Sequence, residues 1–192
     1  LLLELGEERE FNIQLSGGEP TVRDDLPEII RMGRDKGFEY IQINTNGRRI
    51  AEEKGYAKKL KDAGVSVIYL QFDGTTDEIY MQMRNEPLLH TKLSAIENCR
   101  RAGLPVTLVP TVVKNINLDN IGEMMRFLIA NRDVVKGIHF QPVSFFGRVP
   151  DKDYENRVTM FDCMRAIEEQ TDGLFKTGDL CPITTGHTMC CF

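Results

Sequence analysis

FNIQLSGGEPTVRDDLPEIIRMGRDKG, residues 11–37, is the stretch on which the fold turns. Residues 11–16 alternate apolar and polar side chains as a strand does. Gly17 and Gly18 then break the pattern, and residues 26–37 show helical periodicity, opened by Asp24 or Asp25 and closed by Gly37. A strand, a glycine turn and an amphipathic helix make one β/α unit, and the unit recurs downstream. EYIQIN (39–44) precedes the helix AEEKGYAKKLKDAG (51–64), whose last glycine suits a left-handed C-cap. SVIYLQF (66–72) precedes PLLHTKLSAIENCRRAG (87–103), a long helix with proline in its first turn and glycine at its end. VTLVPTVV (106–113) and GIHFQPVSF (137–145) flank the helix LDNIGEMMRFLIANR (118–132). Five strands with four helical connections predict an α/β fold built on a parallel sheet.

The strands carry polar residues at a spacing of two. Asn12, Gln14 and Ser16 share one face, as do Gln42, Asn44 and Asn46; Gln71 with Asp73 and His139 with Gln141 repeat the arrangement. A parallel sheet buried on both faces is apolar on both, so a recurring polar stripe predicts that one face lines a wet, ligand-holding cavity, as in a curved open barrel. The alternative is an ordinary doubly wound sheet with some hydrogen-bonded Asn and Gln. After Gly147 the repeat stops. Residues 149–160 are charged and irregular, and the helix-like FDCMRAIEEQ (161–170) leads into LCPITTGHTMCCF (180–192). No low-complexity linker divides the chain, so residues 1–147 are expected to form the core and 148–192 an extension.

Ligand sites in parallel α/β folds lie beyond the carboxyl ends of the strands. Those ends here read SGGEPT (16–21), NTNG (44–47), QFDG (71–74), PTVVKN (110–115) and QPVSFFG (141–147). Gly17 and Gly18 let the backbone approach a ligand with no Cβ in the way, Glu19 offers an acceptor for a cation such as an ammonium group, and Pro20 stiffens the turn.

In this combination the sequence resembles the core of a radical S-adenosylmethionine enzyme. The likeness rests on GGEP at 17–20, TNG at 45–47, FDG at 72–74 and the stretch DEIYMQMRNEPLLHTKLSAIENCRRAGLPVTLVPTVV that follows, and it covers residues 11–147. It implies a partial (β/α)6 TIM-like barrel with its first β/α unit missing. It also implies an enzyme that binds S-adenosylmethionine and, with a 4Fe-4S cluster, generates a 5′-deoxyadenosyl radical to abstract hydrogen from an unknown substrate. The cofactor-binding residues it implies are Gly17, Gly18, Glu19, Pro20, Thr45, Asn46, Gln71, Asp73 and Gln141. Glu19 would meet the amino group, Gln71 and Asp73 the region near the ribose, and Gln141 the adenine or the substrate; no catalytic residue follows. The family's cluster-binding CxxxCxxC loop is absent from these residues. Its ligands are therefore expected upstream, in line with a chain that opens on Leu1 in mid-helix style, and these residues alone are expected to be inactive. An electron-donor protein is an implied partner.

Cys99 and Cys163 fall in helix-like segments and are expected to act as small apolar residues. Cys181, Cys190 and Cys191 crowd into the tail beside His187, a soft-ligand set suited to an auxiliary iron-sulfur cluster or zinc; the other reading is a set of reduced, unliganded thiols. The tail is similar to the Cys-rich endings of radical enzymes related to the pterin methyltransferases and archaeal lipid-crosslinking synthases.

Composition narrows the partners. With 24 Lys and Arg against 29 Asp and Glu the net charge is −5, which offers no basic footprint for a nucleic-acid backbone. No run approaches the ~20 apolar residues of a membrane span. LLLELGEERE is not a signal peptide, so a cytoplasmic location is expected. Two further functions compete with the enzyme: a noncatalytic small-metabolite-binding barrel of the same shape, and a scaffold using the acidic surface.

Overall fold

The computed structural model describes residues 11–144 and 157–180. Five strands, β1 (Asn12–Leu15), β2 (Tyr40–Thr45), β3 (Val67–Gln71), β4 (Val106–Val109) and β6 (Val135–Ile138), form one sheet in the order β1-β2-β3-β4-β6. Every neighbouring pair is parallel, from Asn12 opposite Tyr40 at one edge to Leu108 opposite Ile138 at the other. Among the described residues the sheet is not closed into a full barrel, and its open, one-directional order is that of the expected partial barrel.

Alternation decides the two faces. Ile41, Ile43, Ile68, Leu70, Val106 and Leu108 are buried and pack with Leu26 and Ile30 of α1 (Leu26–Asp35), Leu60 of α3 (Tyr56–Ala63), Ala95, Ile96 and Cys99 of α5 (Leu89–Ala102) and Met124 of α6 (Ile121–Ala130). The interleaved Gln42, Asn44, Tyr69, Gln71 and Thr107 are half-buried on the opposite face. The helices thus build their core on one side and leave the polar stripe to line the other, as a ligand-holding barrel requires and a doubly wound sheet does not.

Several boundaries depart from the sequence expectation. The helix expected over 51–64 is two, α2 (Arg48–Glu52) and α3, because Gly55 takes a left-handed φ of +83° that no helix interior adopts. A further helix, α4 (Asp77–Arg84), follows β3 and ends at Asn85 with φ +61°. The strand expected over 106–113 is split at Pro110, which has no N–H for the ladder; beyond it β5 (Thr111–Val112) pairs with β7 (Gln141–Pro142) in a separate two-stranded parallel sheet. A register shift at Val106/Thr107 accompanies this turning of the edge.

The segment past the repeat contributes α7 (Met160–Gln170), begun by a capping box in which the Thr159 hydroxyl accepts from the Asp162 amide and Asp162 accepts from the Thr159 amide. α7 docks on α6. Val158, Cys163, Ala166 and Ile167 form a second, smaller apolar cluster with Val112, Ile121 and Met125, and Gln170 clamps it by accepting from the Gly122 amide and donating to the Leu118 carbonyl. Cys99 and Cys163 are buried, and burial pushes their thiols up to about 12 and about 11, so both stay protonated and pack. Among the described residues no helix is long and apolar enough to cross a membrane.

Candidate functional site

Parallel strands bring their carboxyl ends to one rim, and a cavity of about 440 Å³ opens there. Of the residues expected to bind cofactor, Gly17, Gly18, Glu19, Thr45, Asn46, Gln71 and Gln141 line it. Pro20 does not; it opens a short 3-10 turn over Pro20–Val22 for which Glu19 is the N-cap. Asp73 also lies behind the wall, fully buried. Ser16 and Asn44, which the alternation placed on the polar face, join the lining, and so do Tyr69, Arg84, Val109 and Thr111.

Glu19 ties the first two turns together. Its Oε1 accepts from the Thr21 amide (3.0 Å), the Thr21 hydroxyl (2.5 Å) and the Thr45 hydroxyl (2.7 Å), and its Oε2 accepts from the Asn46 amide (2.7 Å). Thr45 Oγ1 in turn accepts from the Gly47 amide at 3.0 Å. Oε1 is crowded while Oε2 has one partner, which leaves Oε2 able to accept from a ligand. Gly47 sits at φ +81°, and a Cβ there would overlap Leu70 Cδ1, so the TNG turn closes only with glycine at that place. Gly17 and Gly18 differ: a Cβ built on either meets no protein atom within 4 Å.

Asp73 organises the third and fourth strand ends. Its carboxylate accepts from Gln71 Nε2 at 2.8 Å, from Arg84 Nε at 2.9 Å and Nη2 at 3.3 Å, and from the Thr111 amide at 3.2 Å. The Asp73 carbonyl accepts from Asn117 Nδ2, itself buried, at 2.8 Å. Arg84, with its side chain 36% exposed, therefore presents a cation to the cavity from a buried carboxylate anchor. Asn44 lines the cavity, and its Oδ1, turned into the wall, has no hydrogen-bond partner among the described residues.

Lys92 of α5 reaches the same site from behind. It is fully buried, its Nζ donates to the Asn46 carbonyl at 2.6 Å, and it lies 3.5 Å from Gln71 Oε1. Burial pulls its ammonium down to about 8, against the pull of Asp73, which favours the charge. Sequence reading missed Arg84 and Lys92 because neither sits at a strand end. Recognising α4 as a helix would have placed Arg84 on the turn that returns to Asp73, and a lysine among the apolar positions of α5 was the available sign for Lys92.

The tail residues Cys181, Cys190, Cys191 and His187 lie outside the described residues. Among the described residues no three or more His, Cys, Asp or Glu side chains gather to hold a metal ion.

Comparison with known proteins agrees with this fold. The model of the radical SAM superfamily matches residues 2–128. The 7,8-dihydro-6-hydroxymethylpterin dimethyltransferase of Methanocaldococcus jannaschii is 49% identical over 173 residues, covering 89% of this chain and 34% of that protein. A probable GTP 3′,8-cyclase of Sulfolobus acidocaldarius is 31% identical over 157 residues, covering 79% of this chain and 49% of that protein. The chain thus spans a third to a half of the length of these relatives. Among solved structures, a radical SAM methyltransferase from Sphaerobacter thermophilus shares the fold with a TM-score of 0.63 at 18% identity, covering 89% of this chain and 50% of that one.

Proposed function

Because the chain belongs to the radical SAM superfamily, we propose that its cavity binds S-adenosylmethionine and that the protein of which these residues are the core is a radical enzyme. The observation that carries this reading is the pairing, in one cavity floored by Gly17 and Gly18, of a carboxylate with a spare acceptor position and a cation anchored on a buried carboxylate. An amino acid presents an ammonium and a carboxylate side by side. Glu19 Oε2 meets the ammonium and Arg84 the carboxylate, each through a charge-assisted hydrogen bond. Gln71, held through Nε2 by Asp73, turns toward the ribose hydroxyls, and Asp73 acts there as a positioning residue. Gln141 faces the adenine or the substrate. When bound and given one electron from an iron-sulfur cluster, the cofactor supplies a 5′-deoxyadenosyl radical for hydrogen abstraction.

The CxxxCxxC ligands do not occur in these 192 residues, so the reductive step is proposed of the protein in which they accompany this core. An electron-donor protein and a cytoplasmic location belong to the same reading, and the net charge of −5 argues against a nucleic-acid substrate. The division into a core over 1–147 and an extension over 148–192, with Cys181, Cys190 and Cys191 as auxiliary metal ligands, is also proposed. The 49% identity to a pterin dimethyltransferase supports a reduced pterin as the substrate class.

Calorimetric titration with S-adenosylmethionine tests the binding reading. Glu19→Ala removes an acceptor and Gly18→Val places a branched side chain in the approach, and each is expected to weaken affinity by about tenfold or more. Unchanged affinity in both variants refutes the assignment. With the cluster present and reduced, release of 5′-deoxyadenosine that depends on added 7,8-dihydro-6-hydroxymethylpterin, read by mass spectrometry, tests the chemistry and the substrate class.

A further inference from the structure

Lys92 stands on the buried side of α5 with Ala95, Ile96 and Cys99, at a position an apolar side chain would occupy without desolvating a charge. A buried ammonium is unfavourable unless acceptors meet it, and nothing in the packing of α5 demands one there. Its partners are specific. Nζ donates to the carbonyl of Asn46 at 2.6 Å, approaches Gln71 Oε1 at 3.5 Å, and lies 6.0 Å from the centre of the Tyr80 ring. Both oxygen partners belong to residues that line the cavity, one on the TNG turn and one at the end of β3. The charged groups that act on it are Glu19 from the turn after β1, Arg48 from α2, Asp73 from the end of β3 and Arg84 from α4. Arg84 reaches the cavity from its pairing with Asp73, whereas Lys92 stays behind the wall and meets a backbone carbonyl and a carboxamide.

We propose that Lys92 is a positioning residue for the ligand cavity, gripping the Asn46 carbonyl and the Gln71 carboxamide from behind so that both residues present fixed polar groups to the bound ligand. The inference rests on the reading of the cavity as the S-adenosylmethionine site. Its physical content is that the ammonium serves the site at the expense of the fold: an apolar isostere removes a buried charge, so the fold keeps or gains stability, while the TNG turn and Gln71 lose their common anchor.

The test uses the full protein and its Lys92→Met and Lys92→Gln variants, with S-adenosylmethionine affinity by equilibrium dialysis and thermal unfolding at pH 7. Lys92→Met is expected to bind about tenfold more weakly or worse, the equivalent of one lost hydrogen bond from a charged donor, with an unfolding midpoint no lower than that of the parent. Lys92→Gln keeps a neutral N–H donor and is expected to fall between the two. The affinity of the parent should also drop more steeply than that of Lys92→Met as pH rises through about 8, where Lys92 gives up its proton. The ligand's own α-amino group titrates in both proteins, so the difference between them isolates Lys92. If the parent binds and both variants bind equally well, the proposal is overturned and the site reading stands. If affinity falls only in step with a lowered unfolding midpoint, Lys92 is structural and the proposal is likewise overturned. If the parent itself does not bind S-adenosylmethionine, the site reading falls and the proposal with it.

Discussion

Replacing Glu19 by alanine tests the architecture of the rim, because one carboxylate joins the turn after β1 to the turn after β2. The substitution strips the acceptor from the amides of Thr21 and Asn46 and from the hydroxyls of Thr21 and Thr45. The hydroxyls can rotate toward other acceptors; the two amides cannot. An amide left without its acceptor costs about 1–3 kcal/mol when buried, and less where water reaches it. Glu19 is only partly buried, so the low end of that range, about 1–1.5 kcal/mol, applies to each amide, and together they amount to about 2–3 kcal/mol, a figure that already includes its N-cap role for the turn at Pro20–Val22. For a chain of this size that is a fall in unfolding midpoint of roughly 5–10 °C. Glu19→Gln keeps one acceptor but sets an NH2 against either the threonine hydroxyls or the Asn46 amide, and is expected to cost about half as much. Urea denaturation followed by circular dichroism measures both. A Glu19→Ala midpoint that corresponds to less than about 0.5 kcal/mol would show that the two turns are not tied through this carboxylate, and the argument would fail.

Asp73→Ala leaves the part-exposed Arg84 guanidinium and the Thr111 amide without their buried partner and is expected to destabilise by about 2–3 kcal/mol in the same assay; a loss below about 1 kcal/mol contradicts the buried-anchor description. Gly47→Ala forces a left-handed φ on a residue with a Cβ and drives that Cβ into Leu70, so a loss of about 2 kcal/mol or more is expected, and a neutral result would mean the TNG turn adopts another conformation. The pH dependence of folding isolates Lys92. Its ammonium titrates near 8 in the folded chain and at the ordinary lysine value of 10.5 when unfolded, so between these the unfolded state holds more protons and stability rises with pH. Relative to Lys92→Met, the parent protein should gain up to about 3 kcal/mol from pH 8 to 10.5; parallel pH profiles for the two proteins would refute the buried charge.

The strands were legible because glycine punctuates this chain at nearly every turn and because polar residues at a spacing of two marked which face would be wet. The two predicted helices that end at Gly37 and Gly103 appear where periodicity put them. The break at Gly55 was not legible, since EEKGYAKK reads as continuous helix until the backbone is seen to reverse φ there. Asp73 was placed on the lining by carrying alternation past Gln71, but β3 ends at Gln71, the parity rule lapses with the strand, and the carboxylate turns inward. Arg84 and Lys92 come from helices, where periodicity tells which side faces the sheet and says nothing of which turn lies beneath. Their partners are 11 and 46 residues away in sequence, a separation that only the packed fold closes.

The division of the apolar interior into two clusters gives this chain two levels of breathing. The larger cluster binds the sheet to α1, α3, α5 and α6 and opens only when the whole domain does. The smaller one is held between α6 and α7 and tied by Gln170 to Gly122 and Leu118; with fewer buried side chains it is the part expected to open at lower free energy. That excursion does not pass unnoticed at the rim. Val112, buried in the smaller cluster, is the immediate neighbour of Thr111, which lines the cavity and is tied to Asp73. Loosening α7 therefore slackens the β5 and β7 side of the cavity first, while the Glu19 side keeps its grip.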